Sequence, residues 1–267
     1  MQLSALMEMV ESLAPRSLGE EWDNNGLLVE PEQTEITRVL VALDCTRAVV
    51  EEAVELGAQL VLAHHPLFFK PVRRMYYSDP ETAAAYHLVR HGIGLFAAHT
   101  NLDSALGGVN DALAETLGLK DIRSLAAPAL PLTEETTALG RVGMLETAMP
   151  LKEFSAYVRD RLQTTVRYGG DAERVVRRVA VIGGSGGDFF LSARNAGADV
   201  LVTGEVKHSC ARDAEVLGIG MVEAGHYETE RVVLKPLIAG LQRELDAVQC
   251  KMDLLQASCE KAVLVAP

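Results

Sequence analysis

At 267 residues, 48% of them apolar, the chain has enough hydrophobic surface for one large domain or two of modest size. Its 37 acidic and 25 basic residues give a net charge of −12, spread without a basic stripe. That balance argues against nucleic-acid binding and against anionic membrane surfaces, both of which rely on clustered cations. No apolar stretch approaches the roughly eighteen residues of a membrane span. The first residues carry Glu8 and Glu11 and no basic run of the signal-peptide kind, and the four cysteines lack C-x-x-C spacing. The expectation is a cytoplasmic protein whose Cys45, Cys210, Cys250 and Cys259 are core or reduced surface thiols.

Leu3, Leu6, Met7, Val10 and Leu13 recur at helical spacing before Pro15, which predicts an amphipathic helix. The segment Glu21-Trp22-Asp23-Asn24-Asn25-Gly26 is turn-rich and holds the sole tryptophan. A buried aromatic anchor flanked by Asx turns is favoured there over a ring lining a site. Arg38 to Asp44 reads as a strand, the stretch through Ala53, Val54 and Leu56 as a helix, and Leu60 to Ala63 as a second strand that ends on His64 and His65 before Pro66. A strand that cannot continue through proline leaves its last side chains at the carboxyl edge of the sheet, where open α/β sheets place their sites. Adjacent strand side chains face opposite ways and converge only where the chain leaves extended geometry. The pair therefore reads as a metal or catalytic position able to serve two ions, the plainer alternative being a polar cap beside a surface histidine.

The second half repeats this plan. Arg178 to Gly183, a helical stretch through Phe190, Leu191 and Ala193, and Gly197 to Gly204 follow the first half at a constant offset of 140, which aligns Arg38 with Arg178 and Gly57 with Gly197. Two βαβ units in one chain predict an α/β fold of two similar halves arisen by internal duplication. The division predicted is 1–125 with His64, His65 and Asp103, then 126–225, then 226–267 with the His226 and Glu230 motif and a C-terminal helix returning to the first domain. A second match aligns Gly92 to Ala98 with Gly218 to Ala224, and both run into a histidine with a carboxylate four residues on: His99 with Asp103, and His226 with Glu230. Four-residue spacing on a helix puts two side chains on one face, one turn apart, where they can grip one ion. Where the first half has His64-His65, the second has Gly204-Glu205, followed by Lys207 and His208. Glu205 and His208 suit substrate contact or the support of a ligand, or else a solvated ion-paired face around Lys207. The Gly183-Gly184-Ser185-Gly186-Gly187-Asp188 loop lacks the Walker lysine and the full G-x-G-x-x-G pattern, so a plain tight turn is expected rather than a phosphate cradle.

Together the motifs Trp22-Asp23-Asn24-Asn25-Gly26, His64-His65-Pro66-Leu67-Phe68, His99-Thr100-Asn101-Leu102-Asp103, Gly204-Glu205 and Ala224-Gly225-His226-Tyr227-Glu228-Thr229-Glu230 resemble the NIF-three-like family, also called GTP cyclohydrolase type two homologues or dinuclear metal-centre proteins. The resemblance runs in order from about residue 3 to 245 and matches the short bacterial form. It implies two similar, intertwined α/β domains with a metal site in the cleft between them, and His64, His65, Asp103, His226 and Glu230 as ligands of two divalent transition-metal ions. Three imidazoles and two carboxylates suit iron, zinc, manganese or nickel alike. His99 is implied to orient a ligand or transfer protons. The resemblance also implies a homo-oligomer, most often a hexameric ring. Pro236, ten residues after His226, departs from an uninterrupted helix and should kink or restart it.

Paired ions activate water and polarise the bond under attack, so hydrolysis is the natural chemistry. The family name points to a small-molecule nucleotide substrate, with opening of the guanine imidazole ring at C8 and His99 shuttling protons. The same ligands would serve a phosphoesterase or amidohydrolase, and a non-catalytic metal-handling or regulatory protein is the reading from another class.

Overall fold

In a computed structural model the described residues are 1–80 and 82–264. The chain opens with α1 (Leu3–Leu13), β1 (Gly26–Val29), β2 (Arg38–Ala42), α2 (Arg47–Leu56), β3 (Leu60–Ala63), α3 (Ala83–His91) and β4 (Gly94–Ala97). It continues through α4 (Thr100–Ser104), α5 (Val109–Thr116), β5 (Lys120–Ser124), β6 (Arg141–Pro150), α6 (Leu151–Leu162), β7 (Arg167–Gly169) and β8 (Val175–Ile182). The last elements are α7 (Phe190–Asn195), β9 (Val200–Thr203), α8 (His208–Leu217), β10 (Gly220–Glu223), α9 (His226–Glu230), α10 (Leu234–Ala247) and β11 (Asp253–Gln256). Two compact units result, one from residues 1–102 and 234–261 and one built on 103–233, so the chain leaves the first unit within α4 and re-enters it at α10.

The first unit holds a five-stranded sheet in the order β1-β4-β3-β2-β11, parallel except for β1. Its helix α1 turns Leu3, Leu6 and Val10 inward, as the spacing predicts. Thr46 caps α2 by accepting the Val49 N–H, and Gly57 ends it in the left-handed conformation, at φ +66°, that a side chain rarely adopts. Leu40, Val49, Val50, Val61, Leu88 and Leu95 are all fully buried in the core beneath this sheet. Each such side chain contributes about 1.5–3 kcal/mol of transfer free energy, most of it offset by lost chain entropy.

The second unit carries a six-stranded mixed sheet in the order β5-β6-β8-β9-β10-β7, with β8, β9 and β10 parallel. Phe154, Val158, Val179, Val181 and Val202 fill one core, and Ala180, Leu201, Ala214 and Met221 belong to another. The duplication is visible in the backbone. Val39 sits opposite Leu60 in the first unit and Val179 opposite Val200 in the second, the same register at an offset of 140. Gln59 Oε1 accepts the Thr37 and Arg38 N–H groups at 3.0 and 2.9 Å, and Asp199 Oδ2 accepts those of Arg177 and Arg178 at 2.9 and 2.8 Å. One device, an acceptor at the start of the second strand that holds the start of the first, is kept in both halves.

Pro236 restarts the helix, as its position predicts. After α9 the chain makes a 3-10 turn over Arg231–Val233, and Pro236 then falls in the first turn of α10, where a missing N–H breaks no helical bond. All four cysteines are free thiols, Cys45 and Cys210 buried and Cys259 exposed, as expected. Among the described residues no helix is long and apolar enough to cross a membrane.

Candidate metal centre

In each unit the chemistry-bearing residues follow the carboxyl ends of the central parallel strands, where backbone amides and diverging loops leave room for a ligand. In the first unit His64 and His65 follow β3 and His99 follows β4. The ladder carries on past the strand, with the His64 N–H on the Ala42 carbonyl and the His65 N–H on the Leu43 carbonyl. The two rings nevertheless converge, with centroids 4.8 Å apart, and His99 stands 5.2 and 5.5 Å from them. Donor atoms of the three histidines lie within 4.8 Å of one another, so this group could hold a metal ion.

Each ring is oriented through Nδ1. His64, only 2% exposed, donates to the Ala98 carbonyl at 2.8 Å. His65 is held by Asp44 Oδ1 at 2.9 Å and His99 by Asp23 Oδ1 at 2.8 Å. An acceptor at Nδ1 fixes the proton there and the lone pair on Nε2, the arrangement that metal-binding histidines use. The Asp23 carboxylate is enclosed, and its other oxygen accepts the Thr100 N–H at 3.0 Å together with the Thr100 hydroxyl. Burial alone would raise the Asp23 carboxyl, but the hydrogen bonds from His99 and Thr100 outweigh it and hold the group well below the usual carboxylate range.

In the second unit His226 is the first residue of α9, and its Nε2 lies 3.1 Å from Glu230 Oε1, one helical turn on. Its Nδ1 meets Glu205 Oε1 at 3.1 Å, so Glu205 orients this ring as Asp44 orients His65. Gly184 makes room for the pair. At φ +63° it favours glycine, and a Cβ there would collide with Glu230 Oε1 and press on His226 Nε2 at 3.0 Å. Asp103 lies buried on α4, and its carbonyl accepts from Asn110 Nδ2 at 2.9 Å, while Asn110 Oδ1 accepts the Gly183 N–H at 2.9 Å. One amide side chain thus fixes the Asp103 turn against the loop beside Glu230.

That loop is a tight turn, as expected. Its Gly183, Gly184 and Gly186 amides are spent on Asn110, Thr229 and Thr203 side chains. Lys207 pairs with Asp188 at 2.7 Å on an exposed face, and His208 is exposed at the start of α8. The expectation of a buried Trp22 is overturned: the ring is 60% exposed, tilted against Phe69 at 5.9 Å and edge-on to His99 at 6.0 Å. Its loop closes on the strand ends through Asp23, which leaves the neighbouring indole outside. Asp44 and Asn110 escape sequence reasoning, and Asp23 enters it only as part of the Trp22-Asp23-Asn24-Asn25-Gly26 motif, without a role. Of the two missed, only Asp44, an acid at a strand's carboxyl end, carries a signal that could have singled it out.

The donors fit a borderline divalent metal: imidazoles with fixed tautomers in one unit, an imidazole and carboxylate pair with space preserved by a glycine in the other. Among known families, the model for Duf34/NIF3 (NGG1p interacting factor 3) matches residues 1–261. The chain belongs to the DUF34/NIF3 family. A Clostridium perfringens relative of this family, called a GTP cyclohydrolase 1 type 2 homolog, is 35% identical over 92% of the chain and 94% of its own length. A Streptomyces coelicolor protein with the same description is 37% identical over 86% of the chain and 81% of its own. Among solved structures, a Bacillus cereus protein related to NIF3 superposes with a TM-score of 0.93 at 26% identity, covering 100% of this chain and 99% of that one. A Staphylococcus aureus hypothetical protein gives 0.92 at 31% identity with the same coverage.

Proposed function

We propose that the protein is a dinuclear metal-dependent hydrolase that opens the imidazole ring of a guanine nucleotide. In this reading His64, His65, Asp103, His226 and Glu230 hold two divalent ions and His99 moves the proton. The observation that carries it is His99 itself, a histidine held at Nδ1 by an enclosed carboxylate and placed beside two similarly oriented imidazoles. The name GTP cyclohydrolase 1 type 2 homolog borne by relatives supports the choice of substrate.

Bound ions would supply Lewis-acid activation of water and of the bond it attacks. His64, His65 and His226 present Nε2 because Ala98, Asp44 and Glu205 occupy Nδ1. Asp23 does the same for His99, so Nε2 is the nitrogen that takes the proton water gives up and returns it to the departing ring nitrogen. Asp23 stays ionised throughout and stabilises the imidazolium formed between the two transfers. The reading includes a closed homo-oligomer, a hexamer, to be checked by light scattering during gel filtration.

The test is protein of measured metal content incubated with GTP and a panel of other nucleotides and phosphoesters, followed by loss of the guanine C8 proton signal in NMR. Metal-dependent loss of that signal is expected. Fully metal-loaded protein that converts nothing in the panel yet passes metal to an apo-enzyme would replace this reading with a metal-handling one.

A further inference from the structure

Trp22 and Phe69 are 60% and 52% exposed, an unusual state for two large aromatic rings set against the same histidine. Their centroids lie 6.0 and 5.6 Å from His99 and 5.9 Å from each other. They come from different loops, which are tied together. Asn24 Nδ2 donates to the Phe68 carbonyl at 2.6 Å, and Asp23, next to Trp22, is bound to His99 and Thr100. The rings are therefore held in place by polar contacts of their neighbours, while much of each stays open to solvent. In a chain of net charge −12, Phe69 is followed by Lys70, Arg73 and Arg74, all exposed. Exposed Glu20 and Glu21 directly precede Trp22 in the chain.

We infer that Trp22 and Phe69 form a stacking platform for the planar base of a nucleotide, with its phosphates directed away from Glu21 toward Lys70, Arg73 and Arg74. Stacking on an aromatic ring tolerates any heteroaromatic base and is worth about 1–3 kcal/mol per base. The cationic residues supply the attraction for the anionic tail. The inference rests on the proposed reading of a nucleotide substrate beside His99 and deepens it by naming where the base and the phosphates lie.

The sole tryptophan is the reporter. Its fluorescence, excited at 295 nm, is titrated with GTP in EDTA, where no turnover occurs. Saturable quenching by GTP is expected, together with weaker binding of guanosine and no quenching by inorganic tripolyphosphate. Phe69→Leu should raise the GTP dissociation constant about tenfold, Phe69→Tyr should leave it within about twofold, and Lys70→Ala with Arg73→Ala should weaken GTP but not guanosine. Absence of saturable quenching, or unchanged affinity in Phe69→Leu, overturns the platform even if the protein hydrolyses GTP. Quenching with the expected variant pattern but no hydrolysis upholds the platform and removes only the hydrolase reading. If Phe69→Leu alters the oligomeric state and leaves GTP quenching intact, the rings are a contact between copies of the chain and the inference fails.

Discussion

His99 and Asp23 lie 76 positions apart in sequence, yet His99 Nδ1 approaches Asp23 Oδ1 to 2.8 Å, while the other carboxylate oxygen closes on Thr100. Asp23 therefore locks the loop after α1 onto the end of β4 and fixes the orientation of one imidazole with the same two oxygens. The Asn101 side chain adds to the closure by donating to the Ala14 carbonyl at 2.7 Å. The loop is thus tied down by polar contacts around the histidine the proposed chemistry needs.

His99→Ala should keep its metal and lose about a hundredfold or more in turnover, the contribution typical of a positioned acid or base. Asp23→Asn, which keeps the shape and removes the charge that fixes the tautomer, should lose about 10- to 100-fold with metal content unchanged. Elemental analysis of both variants alongside turnover separates the roles. If a metal departs with His99, that residue is a ligand; if rate persists in both variants, the pair serves only to close the loop.

The metal set predicts a graded loss. Wild-type protein should hold close to two transition-metal ions per chain, and His64→Ala or Glu230→Ala should hold clearly fewer. Gly184→Ala should do likewise without touching a ligand, because its new methyl group collides with Glu230 Oε1 and its φ of +63° penalises any side chain. Full metal content in Gly184→Ala would show that Glu230 can shift away and still bind.

The duplication and the strand-end histidines were legible because both are local: a fixed offset, a Gly at each helix end, a run of apolar residues stopped by Pro66. The repeat pairs His99 with His226 in sequence, and the backbone gives the two different positions. His226 is the first residue of α9 and reaches Glu230 across one turn, whereas His99 precedes α4 and turns to Asp23 instead. Gly225, inserted after the second strand, moves His226 one position into its helix. Trp22 was misread because composition says a lone tryptophan is buried, while its exposure is decided by how a loop closes over residues far away in sequence. Asn110 and Arg141 carried no pattern at all, since what they do depends on backbone carbonyls they meet only after folding.

Arg141 is the largest fully buried side chain among the described residues, and it is polar. Its guanidinium pairs with Asp111 and donates to the carbonyls of Ala138, Ser104 and Ala105 at 2.6, 3.1 and 2.9 Å, fixing the turn that follows Asp103. Arg141→Met should cost about 3–5 kcal/mol, because it strands the Asp111 carboxylate in the interior. Arg141→Lys should not rescue it, since one ammonium cannot reproduce the planar fork. Adding Asp111→Leu to Arg141→Met should recover part of the loss. Urea midpoints of the three variants decide it, and a double variant no more stable than Arg141→Met would mean that the carbonyl contacts, not the ion pair, dominate.

Glu52 and Cys259 give the pH prediction. The Glu52 carboxylate accepts the Ser258 N–H and hydroxyl at 2.8 and 2.7 Å and the Cys259 N–H at 3.1 Å, tying α2 to the segment after β11. Burial opposes ionisation there, but bonds from Cys259 and Ser258 prevail and bring the carboxyl down from 4.5 to about 2. A carboxyl depressed by folding stabilises above its unfolded value, so the contribution is complete above about pH 4.5 and is lost as pH falls through 2. The same contact acts on the thiol in the opposite sense. Burial, then the hydrogen bond and charge of Glu52, push Cys259 up to about 11 despite its exposed surface, and burial pushes Cys45 up to about 12. At pH 8 only about one Cys259 in a thousand is then thiolate, against roughly a quarter of an ordinary thiol. Iodoacetamide followed by peptide mass mapping should therefore label Cys259 slowly despite its exposure, and Cys45 only on unfolding. Glu52→Gln should speed Cys259 labelling severalfold, whereas an unchanged rate in that variant would show that Glu52 does not hold the thiol.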